Sequence, residues 1–94
     1  MTPGLTAFFR YSLNIEFAYA TRWDLRAIVN TEPDAEEIRT ELAAIIKNRT
    51  MTVVDYDDIT GGIEFPDEDS LYEYLTSMYA HLYEDAEPQP IPPV

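Results

Sequence analysis

Four acidic residues in the middle of the chain have the residue type and the close spacing that cation binding requires. These four are Asp55, Asp57, Asp58 and Glu64. The calcium-binding loop of EF-hand proteins needs Asp or Asn at its fifth position, Gly at its sixth and Glu at its twelfth. Counted from Asp55, those positions hold Ile59, Thr60 and Pro66. The pattern therefore does not predict a dedicated calcium site, and we expect no metal and no cofactor.

Residues suited to catalysis are few. The chain has no Cys and one His, His81, so a catalytic Cys-His pair is excluded. Ser12, Ser70 and Ser77 lack the G-x-S-x-G signature of a nucleophilic serine. The pair Gly61-Gly62 has no neighbouring Lys that could hold a phosphate. The sequence therefore predicts a protein that is not an enzyme.

The most informative feature is the separation of charge along the chain. The 94 residues carry a formal net charge of −12. Residues 51–94 contain eleven acidic residues and no Lys or Arg, whereas residues 1–50 contain seven acidic residues and all six bases. Solubility alone is one explanation, but it would also tolerate bases in the second half. Because such a field attracts basic surfaces and repels phosphate, we expect a basic protein as the partner and no binding of nucleic acid.

Tyrosines accompany these acids near the C-terminus. Tyr72 and Tyr79 are seven residues apart, on a stripe offset from the predicted core positions of the same helix. Tyr is enriched at interfaces; the alternative is that these rings only widen the core contact. We predict that the basic partner binds a surface made of these two rings and the acids Asp55, Asp57, Asp58, Glu64, Asp67, Glu68, Asp69 and Glu73.

Apolar periodicity predicts the helices of the first half. Stripes with spacings of three and four residues predict helices at about 3–19, 22–29 and 34–48. Phe17 belongs to the first stripe, and Trp23 is expected to face the core from the second helix. Asp34 precedes Glu37 by three residues, in the pattern of a capping box.

The second half contains one ambiguous stretch, between residues 52 and 65. Its apolar residues around the glycine pair permit a hairpin, whereas Thr52 can cap a short helix that ends at Gly61 in the left-handed conformation. We favour the helix because an isolated two-stranded hairpin is only marginally stable. A last helix follows Asp67, with a core stripe at Leu71, Leu75, Met78 and Leu82. The predicted fold is all-α, a small bundle of four or five helices.

The chain is predicted to form one domain with a C-terminal tail. Residues 1–85 are expected to be the helical domain, and residues 86–94, with four prolines, a flexible tail. No apolar run approaches the roughly 20 residues needed to span a bilayer, and no signal peptide pattern is present. With no Cys, the composition fits a reducing compartment, so a cytoplasmic location and no membrane contact are expected.

The order of these features resembles a family of immunity proteins from contact-dependent growth inhibition systems. The likeness covers most of residues 5–83. It lies in Phe8-Phe9 with Tyr11, Trp23-Asp24, the acid-capped helix from Asp34 to Asn48, the glycine pair, and the closing run Tyr72-Glu73-Tyr74-Leu75 with Met78-Tyr79 and Leu82. Family members often have a second tryptophan in the last helix, where this chain has Tyr74. The resemblance implies a small acidic helical bundle that binds a cognate toxin, commonly a nuclease, and it implies no catalytic residues.

The leading hypothesis is therefore a bacterial immunity protein that binds and neutralises a basic toxin. One alternative is a nucleic-acid mimic of the anti-restriction or anti-CRISPR type, with carboxylates at phosphate-like spacing. A second is a small enzyme or metal-dependent regulator built on the acids between Asp55 and Glu64. Binding of one toxin, but of no general DNA-binding protein, would separate the first two hypotheses.

Overall fold

The computed structural model describes residues 1–20 and 22–93, which form five α-helices and no β-strand. The helices are α1 (Pro3–Tyr11), α2 (Leu25–Asn30), α3 (Ala35–Asn48), α4 (Val53–Thr60) and α5 (Glu68–Tyr83). Helix α1 packs against α3 and α4, and α5 packs against α2 and α3. The predicted all-α bundle is confirmed.

The longest helix, α5, supplies one side of the core. Its stripe residues Leu71, Leu75, Met78 and Leu82 are all buried, as their spacing predicts. Burying an apolar side chain of this size contributes about 1.5–3 kcal/mol. The stripe therefore explains why α5 holds α2 and α3 together.

Helix α4 is the short helix favoured over a hairpin. Thr52 and Asp55 form a capping box, in which the Thr52 hydroxyl accepts from the Asp55 N–H at 3.1 Å and Asp55 Oδ2 accepts from the Thr52 N–H at 3.0 Å. Gly61 ends the helix with φ of 77°, a conformation that costs Gly little. Both ends of α4 thus have the caps that the sequence predicts.

The first helix is shorter than predicted, because it ends at Tyr11 and not near residue 19. Asn14 supplies the physical reason. Its side-chain oxygen accepts from the N–H groups of Glu16 and Phe17, and its amide donates to the Arg10 carbonyl. Side chains of this type offer the backbone an alternative to the helix. Phe17 consequently lies outside α1 and is exposed.

The prediction that Trp23 faces the core is wrong. Helix α2 starts one residue after Asp24, whose Oδ1 accepts from the Ala27 N–H at 3.1 Å. Trp23 precedes this cap, so it is not part of the helical face that packs on α5, and it remains 42% exposed. The buried residues of α2 are Leu25 and Val29.

The predicted capping box at the start of α3 does not form. Asp34 occupies the N-cap position, but its side chain makes no capping hydrogen bond. Its backbone has φ of −104° and ψ of 27°, whereas N-cap residues that bond to the helix are typically extended. The carboxylate lies against Gly4 instead, so close that a Cβ on Gly4 would be 1.9 Å from Asp34 Oδ2.

The proline-rich segment was predicted to be a flexible tail, yet its described residues 86–93 contact the bundle. Arg26 of α2 forms an ion pair with Glu87, with Nη1 and Oε1 2.8 Å apart. Gln89 is only 7% exposed, and its amide donates to the Ala20 carbonyl at 3.3 Å. These polar contacts compensate for the lack of apolar periodicity, which is why the sequence pattern did not predict them.

Candidate functional site

Two of the acids predicted to bind a partner also cap helices of the fold. Asp55 belongs to the capping box of α4, and Asp67 caps α5, because its Oδ1 accepts from the Ser70 N–H at 2.8 Å. Hydrogen bonds from Thr52 lower the pKa of Asp55, and those from Ser70 lower the pKa of Asp67. Both carboxylates are exposed, but replacing either one would also remove a helix cap.

Asp69 is the predicted site residue that has a basic partner. Its Oδ1 lies 2.7 Å from Arg49 Nη1. Arg49 ends α3 in the left-handed conformation, with φ of 50°, and its guanidinium also lies 5.1 Å from the ring centroid of Tyr72. The hydrogen bond to Asp69 is the main cause that raises the pKa of Arg49. One base from the first half of the chain thus neutralises part of the acidic half.

Tyr72 is buried and cannot be an exposed anchor in this conformation. Only 3% of the residue is exposed. Its hydroxyl accepts from the Met51 N–H at 2.8 Å and donates to the Met51 carbonyl at 2.6 Å. These two bonds tie α5 to the connection between α3 and α4, so Tyr72 acts in the fold.

Tyr79 is partly buried and also has a partner within the chain. Its hydroxyl accepts from Arg39 Nε at 3.1 Å, and its ring lies 4.9 Å from that of Tyr83. The Arg39 guanidinium lies 5.2 Å from the Tyr83 ring centroid. The hydrogen bond to Tyr79 is the main cause that raises the pKa of Arg39. One face of α5 is therefore a Tyr-Arg cluster and not a row of free rings.

The other predicted acids make no side-chain hydrogen bond or ion pair within the described residues. We call them the open carboxylates: Asp57, Asp58, Glu64, Glu68 and Glu73. Asp57 is half-buried and the other four are exposed. Because none of them is in an ion pair within the described residues, their charge contributes to the field that the second half projects into solvent.

The structure does not gather the predicted residues into one cavity. Asp55 borders a depression of about 550 Å³ with Met1 and Glu41. Asp58 borders another of about 410 Å³ with Arg10 and Glu16, and Glu73 a third of about 310 Å³ beside the proline-rich segment. The acids thus border separate depressions of the surface, an arrangement that suits a broad electrostatic contact better than chemistry in one site.

Neither a metal centre nor a membrane span emerges from the part of the chain that the structure describes. Residues 1–20 and 22–93 contain no group of three or more His, Cys, Asp or Glu side chains arranged to hold a metal ion. None of their helices combines the length and the apolar character needed to cross a bilayer.

A second surface was missed by the sequence analysis. The end of α1 and the start of α2 enclose an apolar groove of about 200 Å³. We call it the aromatic groove; its lining residues are Tyr11, Ser12, Phe17, Trp23, Leu25 and Ile28. The signal that could have revealed it is Asp24, because an N-cap at this position places Trp23 before the helix.

Fold and surface together define a small acidic α-helical bundle. Comparison of the chain with protein-family models, with curated proteins and with solved structures finds no match.

Proposed function

We propose that this protein is a bacterial immunity protein, a non-enzymatic inhibitor that acts in the cytoplasm by binding a basic toxin. The observation that supports the proposal is the set of open carboxylates in a half-chain that has no Lys or Arg. A nuclease is the preferred target, because a nuclease must attract phosphate and is therefore basic around its substrate site. An acidic inhibitor is attracted to the same surface.

The open carboxylates are suited to long-range attraction. Exposed charges contribute mainly to the rate of encounter and to the choice of partner, and steering can raise association rates by roughly 10- to 1000-fold at low salt. Asp58, Glu64 and Glu73 fit this role, since all three are exposed to solvent. Association should thus depend on salt more strongly than dissociation does.

The test uses the purified toxin domain encoded by the adjacent upstream gene, with binding kinetics measured between about 0.05 and 0.5 M salt. The Debye length falls from above 10 Å to below 8 Å over this range. We expect association to slow by at least about tenfold, with much less change in dissociation. An association rate indifferent to salt would refute electrostatic steering, and absence of binding would refute the choice of partner.

A pair of charge-matched variants then locates the interface. The site variant combines Asp58→Asn, Glu64→Gln and Glu73→Gln. The control combines Glu32→Gln, Glu36→Gln and Glu37→Gln, three exposed acids of the first half. Both variants lose the same charge and keep the caps of α4 and α5. The site variant should associate more slowly than the control at low salt; equal rates would show that total charge matters and the surface does not.

Binding to unrelated DNA-binding proteins distinguishes a nucleic-acid mimic from an immunity protein. A mimic should bind unrelated DNA-binding proteins and compete with DNA for them, whereas an immunity protein should bind one toxin. Inhibition of several unrelated DNA-binding proteins with similar affinity would favour the mimic over the proposal.

A further inference from the structure

The proline-rich segment is held on the bundle by residues of other elements. Arg26 of α2 donates to the Ala86 carbonyl at 3.0 Å and forms the ion pair with Glu87. At the far end of the segment, the Tyr19 hydroxyl donates to the Pro93 carbonyl. Helix α2 and the connection that precedes it therefore contain a binding site for this segment.

The segment has a restricted shape that such a site can recognise. Every residue from 87 to 93 is a proline or precedes one, and both kinds of position favour extended backbone. An extended proline-rich chain has three residues per turn, and the two buried residues of the segment, Gln89 and Pro92, are three apart. Its last residues border a depression with the aromatic rings of Phe65 and Tyr74, and aromatic-lined grooves are common binding sites for proline-rich chains.

One tight turn directs the segment back along α5, the helix that precedes it. The turn consists of Glu84 and Asp85, directly after α5 ends at Tyr83. The Ala80 carbonyl closes it, because it accepts from the N–H groups of Glu84 and Ala86 at 2.8 and 3.1 Å. Asp85 takes the left-handed conformation, with φ of 57°, at a position where Gly is usual because a side chain makes this conformation unfavourable. Short connections under strain favour the exchange of segments between copies of a chain.

We infer that a second copy of this chain binds at this site, and that two copies exchange their proline-rich segments to form a two-fold dimer. In the dimer the turn at Asp85 opens, and each segment binds the other copy through the contacts that it makes within one chain. Exchange of an identical element needs no new binding surface. The occupant is the segment that the structure shows in the site, and its Glu87 carboxylate already pairs with Arg26. The inference does not depend on the proposed function.

Concentration and salt should both favour the dimer. A short connection holds the segment at an effective concentration of about 1 mM, so the parent protein should be partly dimeric at about that concentration. Each copy carries a net charge of −12, and the resulting repulsion between copies is screened by salt. Sedimentation should therefore show more dimer at about 0.5 M than at about 0.05 M salt, the opposite of the effect on toxin association. A protein that stays monomeric under both conditions would overturn the inference.

A matched pair of variants tests the turn at Asp85. Asp85→Pro and Asp85→Gly lose the same charge, but Pro cannot adopt a positive φ, whereas Gly adopts it readily. We expect the dimerisation constant of Asp85→Pro to exceed that of Asp85→Gly by at least about tenfold, because only the Pro variant is prevented from turning back. Circular dichroism checks that both are folded. Equal dimerisation of two folded variants would contradict the exchange.

Charge reversal then identifies the contact between copies and does not require a change in the turn. Arg26→Glu and Glu87→Arg each place like charges together within one chain, whereas an exchanged heterodimer of the two variants restores opposite charges at both sites. Crosslinking followed by mass spectrometry distinguishes the dimers, because the two variants differ in mass. We expect heterodimers to exceed either homodimer by at least about tenfold, since attraction replaces repulsion at two sites.

The control is a chain that carries both reversals, which has an opposite pair within itself. Mixed with the parent protein, it should form fewer heterodimers than random pairing gives, because a mixed dimer places like charges together at both sites. Random pairing in both mixtures would show that the copies meet elsewhere and would overturn the inference.

Discussion

Replacing Tyr72 by Phe tests whether this residue acts in the fold or in binding. The substitution keeps the ring that lies under Arg49 and removes only the hydroxyl. That hydroxyl accepts from the Met51 N–H at 2.8 Å and donates to the Met51 carbonyl at 2.6 Å. Met51 is 6% exposed, so water has little access to either group. The variant therefore leaves a buried donor and a buried acceptor without their partner.

The expected cost follows from those two groups. A buried polar group left without a partner costs about 1–3 kcal/mol, and the N–H is the more demanding of the two because a carbonyl tolerates partial satisfaction better. For a domain of this size, 1 kcal/mol shifts the melting temperature by about 4–8 °C. We expect Tyr72→Phe to lower the melting temperature by roughly 5–20 °C.

The assay is thermal and urea unfolding followed by circular dichroism, with Tyr79→Phe as the matched control. Tyr79 also loses one hydroxyl, but its partner Arg39 is exposed and can bond to water, so the control should be clearly more stable than Tyr72→Phe. The dissociation rate of the bound toxin should be the same for Tyr72→Phe and the parent protein. Equal stability of the two variants, together with faster dissociation from Tyr72→Phe, would refute the structural role and restore Tyr72 as a binding anchor.

Three further perturbations have expected outcomes. Deleting residues 86–94 should cost about 1–3 kcal/mol of unfolding free energy, since the contacts of this segment include the partly buried hydrogen bond from Gln89 to Ala20. An unchanged melting temperature would show that the segment does not stabilise the bundle. Burial raises the pKa of Tyr83 to about 12 from 10.0, and burial also raises that of Tyr56. Because the folded state holds these protons more tightly, stability is fully present below pH 10 and should fall as pH rises from about 10 towards 12, which urea unfolding at several alkaline pH values measures. Trp23→Ala should cost less than Phe9→Ala, for which a buried aromatic predicts about 3–5 kcal/mol, and the reverse order in chemical denaturation would place Trp23 in the core.

Most of the fold could be predicted from local sequence patterns. The stripe of α5 from Leu71 to Leu82 predicts a buried helix face because residues three and four apart share one side of a helix. The caps of α4 were also predicted, since a Thr at the N-cap and a left-handed Gly at the C-cap depend only on neighbouring residues. The all-α class, the preference for a helix over a hairpin at residues 52–65 and the start of α5 after Asp67 all follow from such short-range rules.

The errors of the sequence analysis fall where a local signal had a competitor. Periodicity extended α1 beyond Tyr11, but the side chain of Asn14 bonded to the backbone and ended it. Trp23 was placed in the core because it is large and apolar, whereas the N-cap at Asp24 set the start of α2 and left the indole outside. Asp34 has the right residue type for a cap, yet its close approach to Gly4 turned the carboxylate elsewhere.

For the candidate surfaces too, some properties follow from the sequence and others only from the tertiary structure. Net charge and the absence of Lys and Arg from residues 51–94 are properties of the amino-acid sequence by itself, so the acidic half was evident before any coordinates. Which acids are open was decided by tertiary structure, because only the folded chain brings Arg49 to Asp69 and ties the hydroxyl of Tyr72 to Met51. The aromatic groove likewise depends on how the end of α1 meets the start of α2, since an apolar residue in a sequence becomes a core residue or a surface residue only when its neighbours in space are known.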